Sequence, residues 1–274
     1  MNINNTSTTI VDFHVHAFPD DVAERAIEAL LTSYGAEAAT NGTISHLLQH
    51  MQKTGVDYSV LQPVATKPSQ VHSINDWAAS HTDPSLISFG GIHPGYNDVA
   101  GEIDRIVDLG LPGIKLQGNW QDVYIDSSEM YSIYEAAQGR LIILFHSGAE
   151  LAPFEEMKAT PRQIANIHAD FPDLTIVAAH MGGYQMWDEV EKYLIGKNIY
   201  LDTSACFPHD LGNERFLRLI HAHGVEKILF ATDLPCGDPL NDIPRFQNMG
   251  LTDTDLEHIF YKNAKQLLGD RIKC

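Results

Sequence analysis

The sequence predicts an α/β fold, a single (β/α)8 TIM barrel that covers residues 1–274. Apolar segments of strand length alternate with helical patterns along the whole chain, which is typical of a parallel sheet covered by helices on both faces. Eight such units in about 250 residues match the size of a (β/α)8 barrel. A doubly wound open sheet is the alternative, but no Gly-x-Gly-x-x-Gly follows any strand segment, which excludes its usual nucleotide-binding form.

The eight predicted strands are near-continuous apolar segments, as expected of strands that are buried on both faces. In chain order they are "TIVDFHVHAF" (9–18), "DYSVLQPVA" (57–65), "LISFGGIHP" (86–94), "LPGIKLQG" (111–118), "LIILFHSG" (141–148), "LTIVAAHMGG" (174–183), "IYLDTSAC" (199–206) and "KILFATDLP" (227–235). The longest strongly apolar run, "LIILF" at 141–145, is far too short to cross a bilayer.

Amphipathic segments between the strands predict the helices, and several end at a Gly suited to a helix C-terminus. The first connection contains two helical patterns, 20–34 and 43–54, and the last helix is "DTDLEHIFYKNAKQLLG". Others are "AGEIDRIVDLG", "QIANIHADF", "WDEVEKYLIG" and "NERFLRLIHAHG". No low-complexity segment or linker rich in Pro, Gly or Ser interrupts this alternation, so no domain boundary is predicted.

The chain is strongly acidic, with 36 Asp and Glu against 18 Lys and Arg and a formal net charge of −18. Such a charge repels polyanions, so we expect a small-molecule substrate and neither nucleic acid nor an anionic membrane as a partner. The segment "MNINNTSTTI" lacks the features of a signal peptide, and Cys206, Cys236 and Cys274 do not make a disulfide framework. We therefore expect a reduced, cytoplasmic protein, and assembly into a homo-oligomer stays open.

Polar side chains collect at the carboxyl ends of the predicted strands, where the active sites of barrels lie. An imidazole or a carboxylate at the end of an apolar strand is costly to bury without a partner. These residues are His14 and His16 on the first strand, His93 on the third, Lys115 on the fourth, His146 on the fifth, His180 on the sixth and Asp233 on the eighth. They are expected to meet at one mouth of the barrel.

The spacing of His14 and His16 predicts a chelating pair. Residues i and i+2 of a strand point the same way and stand about 6.6 Å apart along it, so both rings can converge on one ion. The chain has 14 His, so roughly one His-x-His pair is expected by chance, and His221 with His223 forms a second. That pair falls in a helical pattern, where i and i+2 do not share a face, and we interpret it as solvated helix surface.

Four motifs in order resemble the amidohydrolase superfamily: "DFHVH" on the first strand, "FHSG" on the fifth, "AHMGG" on the sixth and "FATDLP" on the eighth. The most similar branch contains the aminocarboxymuconate-semialdehyde and related aromatic-acid decarboxylases and many amidohydrolase-2 hydrolases. The terminal "NAKQLLG" also resembles that branch's closing helix. The resemblance implies one divalent metal held by His14, His16, His146 and Asp233, with His180 beside it as the acid/base or carbonyl-polarising residue.

The residue types agree with this implication. Neutral imidazoles and a carboxylate suit Zn²⁺, with Mn²⁺ or Fe²⁺ as alternatives. A site with one open position lowers the pKa of a bound water to about 7. Asp233 is then placed to accept the water's proton, while His180 stabilises the developing oxyanion. Taken alone, His146 and His180 could each be a core histidine satisfied by one hydrogen bond, and Asp233 could be a helix cap.

Lys115, in "GIKLQG", occupies the position at which related two-metal barrels carbamylate a lysine that bridges the ions. The amidohydrolase-2 branch is usually mononuclear and often has a similar Gly-x-Lys without modification. We therefore expect an unmodified amine that pairs with a substrate carboxylate or with Asp233. A second metal with carbamylated Lys115 is the alternative.

Several further residues are expected near the mouth. His93, in "GIHP", resembles the third-strand end of TatD-type nucleases, but the net charge gives no electrostatic footprint for DNA, so we expect His93 in the cavity wall. Cys206 and Cys236 are interpreted as small packing residues. Trp120 and Tyr124, after the fourth strand, either cover the substrate or fasten their loop, and the same ambiguity holds for Phe18 and Phe207.

The sequence therefore predicts a mononuclear metal-dependent hydrolase that attacks an amide, ester or lactone carbonyl in a small polar or aromatic acid. Non-oxidative decarboxylation is the chemical alternative, because the related decarboxylases use the same metal ligands. A barrel that only binds a metabolite is a third hypothesis, against which the retention of His14, His16, His146, His180 and Asp233 argues. The substrate itself is not readable, because barrel specificity resides in loops.

Overall fold

The computed structural model describes residues 8–34, 37–206 and 211–273. All eight predicted strands form, and the third is divided into two short segments. Their bounds are β1 Val11–Val15, β2 Tyr58–Leu61, β3 Leu86–Ser88, β4 Gly90–Gly91, β5 Gly113–Leu116, β6 Ile142–Phe145, β7 Thr175–Ala178, β8 Tyr200–Asp202 and β9 Ile228–Leu229. The predicted strands are longer because they include the loop residues that follow each strand.

The strands are parallel and lie in chain order, β1-β2-β3 and β4-β5-β6-β7-β8-β9. Phe89 separates β3 from β4, and its N–H donates to the Leu61 carbonyl (2.9 Å). The ring closes between β9 and β1, where the Phe13 N–H donates to the Phe230 carbonyl (2.9 Å) and the Asp233 N–H to the His14 carbonyl (2.9 Å). The predicted (β/α)8 barrel is confirmed.

Helices connect successive strands. Their bounds are α1 Asp20–Tyr34, α2 Ile44–Thr54, α3 Val71–Ala79, α4 Val99–Asp108, α5 Tyr131–Ala137, α6 Pro161–Asp170, α7 Trp187–Tyr193, α8 Asn213–His223, α9 Pro239–Asn248, α10 Asp253–Glu257 and α11 Asn263–Leu268. The first connection contains α1 and α2, as predicted. Within the described part of the chain, no helix has the length and apolar character needed to span a membrane.

The prediction for the second His-x-His pair is half wrong. Both residues lie in α8 and His221 is exposed, but His223 is 6% exposed. The Nε2 of His223 lies 2.9 Å from the Ile199 carbonyl, to which it can donate. Positions i and i+2 point to different sides of a helix, so on a helix packed against the barrel one of the two rings faces the protein.

The barrel interior is filled by residues from alternate positions of the strands. Val60, Phe89, Leu144, Val177 and Leu229 are fully buried members of this cluster, which Ala264 and Leu268 of α11 join. Residues between them in sequence, such as Ile143 and Ile176, belong to the layer between strands and helices. Because side chains alternate across a strand, a polar residue two or four positions after one of these interior residues points toward the barrel axis.

We predict that Asn263→Ala lowers the free energy of unfolding by about 2 to 4 kcal/mol. The Asn263 amide donates to the carbonyls of Val225 and Ile228, both at 2.7 Å, and so attaches α11 to β9 and to the helical turn before it. Truncation to Ala removes the buried amide donor, so the carbonyls of Val225 and Ile228 lose this hydrogen bond. The control is Asn248→Ala, whose exposed amide donates to Pro244 and whose loss is expected to cost about 0.5 kcal/mol or less. Urea unfolding followed by circular dichroism checks this, and equal losses contradict it.

Candidate metal centre

A cavity of about 960 Å³ opens at the carboxyl ends of the strands. Six of the residues predicted from strand ends line it: His14, His16, Lys115, His146, His180 and Asp233. His146 and Asp233 continue the phase of the interior residues Leu144 and Leu229, with which they share one side of their strands. Of the seven side chains that were predicted to meet at one mouth of the barrel, these six line the same cavity, and His93 is absent from its described lining.

Three of them form a compact group of possible ligand atoms. The Nε2 atoms of His14 and His16 are 3.2 Å apart, and Asp233 Oδ1 is 3.5 Å from the first and 3.2 Å from the second. All three ligand atoms lie within 4.8 Å of one another. The convergence predicted from the strand spacing of His14 and His16 is thus observed.

A register shift in β1 makes this convergence possible. Val11 and Phe13 point into the barrel interior, and regular alternation would then send His14 and His16 outward. The pairing of β1 with β2 shifts between Asp12 and Val15. Such a bulge re-aims the residues that follow it, so the histidines also reach the barrel mouth.

Asp202, at the end of β8, orients His14. Its carboxylate accepts from His14 Nδ1 (2.9 Å) and also from the backbone N–H groups of His180 and Ser204, each at 3.0 Å. Burial alone would raise the pKa of Asp202, but the His14 ring and the Ser204 hydroxyl outweigh it and hold that pKa below its usual range. With its Nδ1 proton donated to Asp202, His14 presents Nε2 as a lone pair to the cluster.

His146 and His180 form a second pair beside the first. His146 Nδ1 and His180 Nε2 are 3.0 Å apart, and the His180 and His14 ring centroids are 5.6 Å apart. The Nε2 of His146 lies 3.3 Å from a carboxylate oxygen of Glu150. His146 does not belong to the three-residue group of ligand atoms, so its role as a fourth ligand stays a prediction.

Burial keeps these imidazoles neutral. Burial and the nearby Lys115 amine lower the pKa of His14 to about 3 and that of His146 to about 4. Burial and the neighbouring His146 lower the pKa of His180 to about 4. Neutral imidazole is the protonation state that binds a metal.

Lys115 lies directly against the cluster. It is 1% exposed, and its Nζ is 3.1 Å from His14 Nε2. Burial lowers the pKa of Lys115 to about 8, against the opposing effect of the Asp202 and Asp233 carboxylates. The expected pairing with Asp233 is therefore electrostatic in this structure, and the nearest contact is to His14. Whether the amine is carbamylated stays a prediction.

Two functional residues have a left-handed backbone conformation. The φ angles of His180 and Asp233 are +58° and +66°, a region that only a few per cent of non-glycine residues occupy, although His and Asp do so more often than most. At His180 this conformation breaks the alternation of the strand and turns the ring toward the cavity. The glycine of "FHSG" is required too, because a Cβ at Gly148 would lie 2.2 Å from the Tyr184 nitrogen.

Of the other residues that were expected near the mouth, some line the cavity and some do not. His93 was expected in the cavity wall, which is wrong: it is absent from the described lining, and its Nδ1 accepts from the Gly95 N–H (3.0 Å) in a turn. Cys206 packs in the core as expected, whereas Cys236 lines the cavity.

The aromatic residues that were expected near the mouth have two different roles. Trp120 and Phe18 line the cavity, and the Trp120 ring packs edge-on against Phe154 (5.5 Å between centroids). Tyr124 donates to Glu156 and therefore fastens its loop. Phe207 and Cys274 lie outside the described residues.

Sequence reasoning missed four residues of the site: Gln62, Glu150, Asp202 and Ser204. Asp202 carries the same signal as Asp233, a carboxylate at the end of an apolar strand, and could have been found by it. Gln62 directly follows β2, and its fully buried Oε1 has no hydrogen-bond partner among the described residues. Glu150 follows the fifth strand in a loop whose shape the sequence does not reveal, and burial raises its pKa.

The three-residue group fits a divalent metal ion. Two ligands at about 2.0 to 2.1 Å from a tetrahedral Zn²⁺ stand roughly 3.3 Å apart, and the observed separations are 3.2, 3.5 and 3.2 Å. Two imidazole nitrogens and a carboxylate oxygen also suit Mn²⁺ and Fe²⁺. In addition, His14 donates through Nδ1 to the Asp202 carboxylate, and metal-binding histidines usually donate their other ring N–H in this way.

The chain is similar to known proteins in both sequence and fold. The family model described as amidohydrolase matches residues 11–269. The sequence has no significant match among curated proteins. Solved structures resemble the fold over nearly the whole chain, at sequence identities that support a likeness of fold alone.

Three of these solved structures are two decarboxylases and one protein named as a hydrolase. The 5-carboxyvanillate decarboxylase from Sphingomonas paucimobilis has a TM-score of 0.73 and 16% identity, covering 97% of this chain and 100% of its own. A dihydroxybenzoic acid decarboxylase from a Polaromonas species, solved with bound manganese and 2-nitroresorcinol, has a TM-score of 0.71 and 17% identity (97% and 98% covered). A protein named as a 2-pyrone-4,6-dicarboxylic acid hydrolase from Pseudomonas putida has a TM-score of 0.67 and 14% identity (97% and 99% covered).

We predict that replacing His14 and His16 together with Ala abolishes binding of a divalent metal, because two of the three converging ligand atoms are lost. The matched control replaces His72 and His221 with Ala, since both are exposed residues of helices. His223 is unsuitable as a control because it is buried. Elemental analysis after incubation with Zn²⁺ or Mn²⁺ gives the metal content. Equal metal contents in the two double variants would contradict the assignment.

Proposed function

The chain belongs to the amidohydrolase family of metal-dependent enzymes, and we propose that it is a hydrolase that cleaves an amide, ester or lactone bond in a small polar or aromatic acid. One observation carries the proposal. The converging atoms of His14, His16 and Asp233 lie at the base of a large cavity. The His180 ring lines the same cavity, and the Asp233 carboxylate and this imidazole are the groups that can transfer protons. A small-molecule substrate fits both the cavity and the strong negative charge of the chain.

One divalent ion, with Zn²⁺ favoured and Mn²⁺ or Fe²⁺ as alternatives, would be held by His14, His16 and Asp233, and by His146 as the fourth ligand. When bound there, it supplies acidification of a water molecule and polarisation of a carbonyl or carboxylate oxygen. The neutral state of the buried imidazoles supports this role, since a protonated ring could not bind.

The chain's own residues then account for the proton transfers. Asp233 contacts both histidine rings through Oδ1, and its carboxylate is placed to accept a proton from water in the cavity. The Nδ1–H of neutral His180 donates to the Ser204 carbonyl (3.0 Å), so the ring presents Nε2, which lies 3.0 Å from His146 Nδ1, as a lone pair. Nε2 can therefore first accept a proton, and the imidazolium that results can donate that proton to a developing oxyanion or to a leaving group. The Lys115 amine lies at the bottom of the same cavity, 3.1 Å from His14 Nε2. Its positive charge would stabilise a substrate carboxylate or a developing oxyanion there.

Decarboxylation is a second candidate, and the comparisons support it at least as strongly as hydrolysis. Two of the three solved structures described above are decarboxylases of aromatic acids. In this reaction the bond between the carboxyl carbon and its neighbour breaks, CO₂ leaves, and the neighbouring carbon takes up a proton. Lys115 would orient the carboxylate, and His180 would supply the proton.

Product analysis separates the two reactions. We expect a panel of esters, lactones, amides and aromatic carboxylic acids, incubated with metal-loaded protein, to yield a substrate that gains the elements of water without release of CO₂. CO₂ in equal amount to the substrate consumed, with no hydrolysed product, would instead establish the decarboxylase. The variant with His14 and His16 replaced by Ala is the control for contaminating activity, and it is expected to give neither product.

A second prediction separates metal binding from proton transfer. His180→Asn is expected to keep most of its metal and to lose about 10² to 10⁴ in kcat, as is typical when a positioned acid/base group is removed. His146→Asn is expected to lose metal and activity together, because it removes a proposed ligand. Metal content and kcat are measured for both variants on any substrate from the panel. A metal-free His180→Asn beside a loaded His146→Asn would exchange the two roles.

A further inference from the structure

The cavity has a very uneven distribution of charge. Among the described lining residues, Lys115 is the one Lys or Arg, and it lies at the base beside His14. The positions outside the described residues contain no Lys or Arg in the sequence. The wall carries carboxylates instead, Glu37 and Glu150. An anionic group on a ligand therefore finds the Lys115 amine at the base of the cavity and no Lys or Arg side chain elsewhere in its described lining.

An apolar arm leads away from this base. Ala26, Ala29 and Leu30 of α1 line the cavity and are spaced i, i+3 and i+4, so one face of this helix is turned toward it. Ile74 and Trp77 of α3, spaced i and i+3, line the same cavity. We call these five residues the apolar arm. Unlike the buried faces of the other helices, the arm retains exposed area, with Ala29 exposed and the other four half-buried.

The polar groups near the arm are neutral. Thr66, Gln70 and Ser73 line the cavity between β2 and α3. Gln62, directly after β2, donates through Nε2 to the Phe13 carbonyl (3.1 Å), which leaves its buried Oε1 as an acceptor without a partner among the described residues. The Thr66 and Ser73 hydroxyls already donate to Gln70, and the Gln62 Oε1 can accept from a hydroxyl or N–H donor of a ligand. None of these neutral groups supplies the positive charge that best offsets the desolvation of a carboxylate.

The size of the cavity agrees with an extended ligand. Its volume of about 960 Å³ is at the upper end of the range typical of drug-sized ligands, about 300 to 1,000 Å³. A single small acid bound at the base would leave most of the arm empty. The arm is continuous with the base, so one molecule can occupy both.

We propose that the substrate carries one anionic or metal-coordinating head, bound at the base, and an uncharged, largely apolar tail that lies in the apolar arm between α1 and α3. This inference rests on the proposed function for the position of the head. It excludes substrates with a second carboxylate distant from the first, because the wall would place that group near Glu37 or apolar side chains.

Three hydroxamates test the proposal by titration calorimetry with zinc-loaded protein. They share one metal-coordinating head: acetohydroxamate has no tail, octanohydroxamate has an apolar tail, and the monohydroxamate of suberic acid has a similar tail that ends in a carboxylate. We expect octanohydroxamate to bind at least tenfold more tightly than acetohydroxamate, since each buried methylene contributes to affinity. The suberic probe is expected to bind at least tenfold more weakly than octanohydroxamate.

A substitution in the arm tests its location. Ala29→Lys adds a cation to the exposed lining position of α1 and is expected to strengthen binding of the suberic probe at least fivefold relative to octanohydroxamate. Thr32→Lys is the matched control, because Thr32 is exposed on the same helix and is not part of the cavity lining. It adds the same charge and is expected to leave the ratio of the two affinities unchanged.

The outcomes distinguish this inference from the proposed function. If acetohydroxamate binds but the tail gives no gain in affinity, or if the carboxylated tail binds as well as the apolar one, the inference is overturned and the metal centre stands. An equal response of Ala29→Lys and Thr32→Lys would overturn the placement of the tail in the arm. If none of the three probes binds, both the metal centre and the inference are overturned.

Discussion

The hydrogen bond between His14 Nδ1 and Asp202 (2.9 Å) is the interaction on which the site depends most. Asp202 is fully buried, and a buried carboxylate is stable only with several donors. The backbone N–H groups of His180 and Ser204 supply two of them. One carboxylate at the end of β8 thus fixes the tautomer of His14 on β1 and the turn that carries His180. Loss of that carboxylate would disturb both halves of the site together.

The sequence predicted the barrel and the side chains at its mouth because both follow from simple periodicity. Alternating apolar strands and amphipathic helices determine the fold class, and polar residues at strand ends mark the mouth. Two details escaped this reasoning. The register shift in β1 and the positive φ at His180 change which side chains face inward, and neither leaves a pattern in the strand sequence. His223 shows the same limit, since the i, i+2 argument separates two rings without indicating which one is buried.

Burial lowers the pKa of both kinds of basic group at the bottom of the cavity, the imidazoles and the Lys115 amine, but it leaves them in different protonation states. For His14, His146 and His180 it lowers the pKa and leaves neutral rings, which metal coordination requires. For Lys115 it lowers the pKa only to about 8, so the amine is mostly protonated at neutral pH. A neutral donor set beside a retained cation suits a substrate that brings negative charge to the reaction centre, and this property is shared by hydrolysis and decarboxylation of an acid.

The residues that carry out the reaction and the residues that select the substrate lie in different parts of the barrel. The residues at the base lie on or directly after strands, whose positions are fixed by the barrel, and solved structures that share only 14 to 17% of residues with this chain have a similar fold. The wall comes from α1, α3 and the loop after β5, segments that can change without disturbing the barrel. A family that retains its base while its connections vary can therefore keep one metal chemistry and exchange substrates. The substrate of this chain is accordingly encoded in α1 and α3 more than in the motifs that place it in the family.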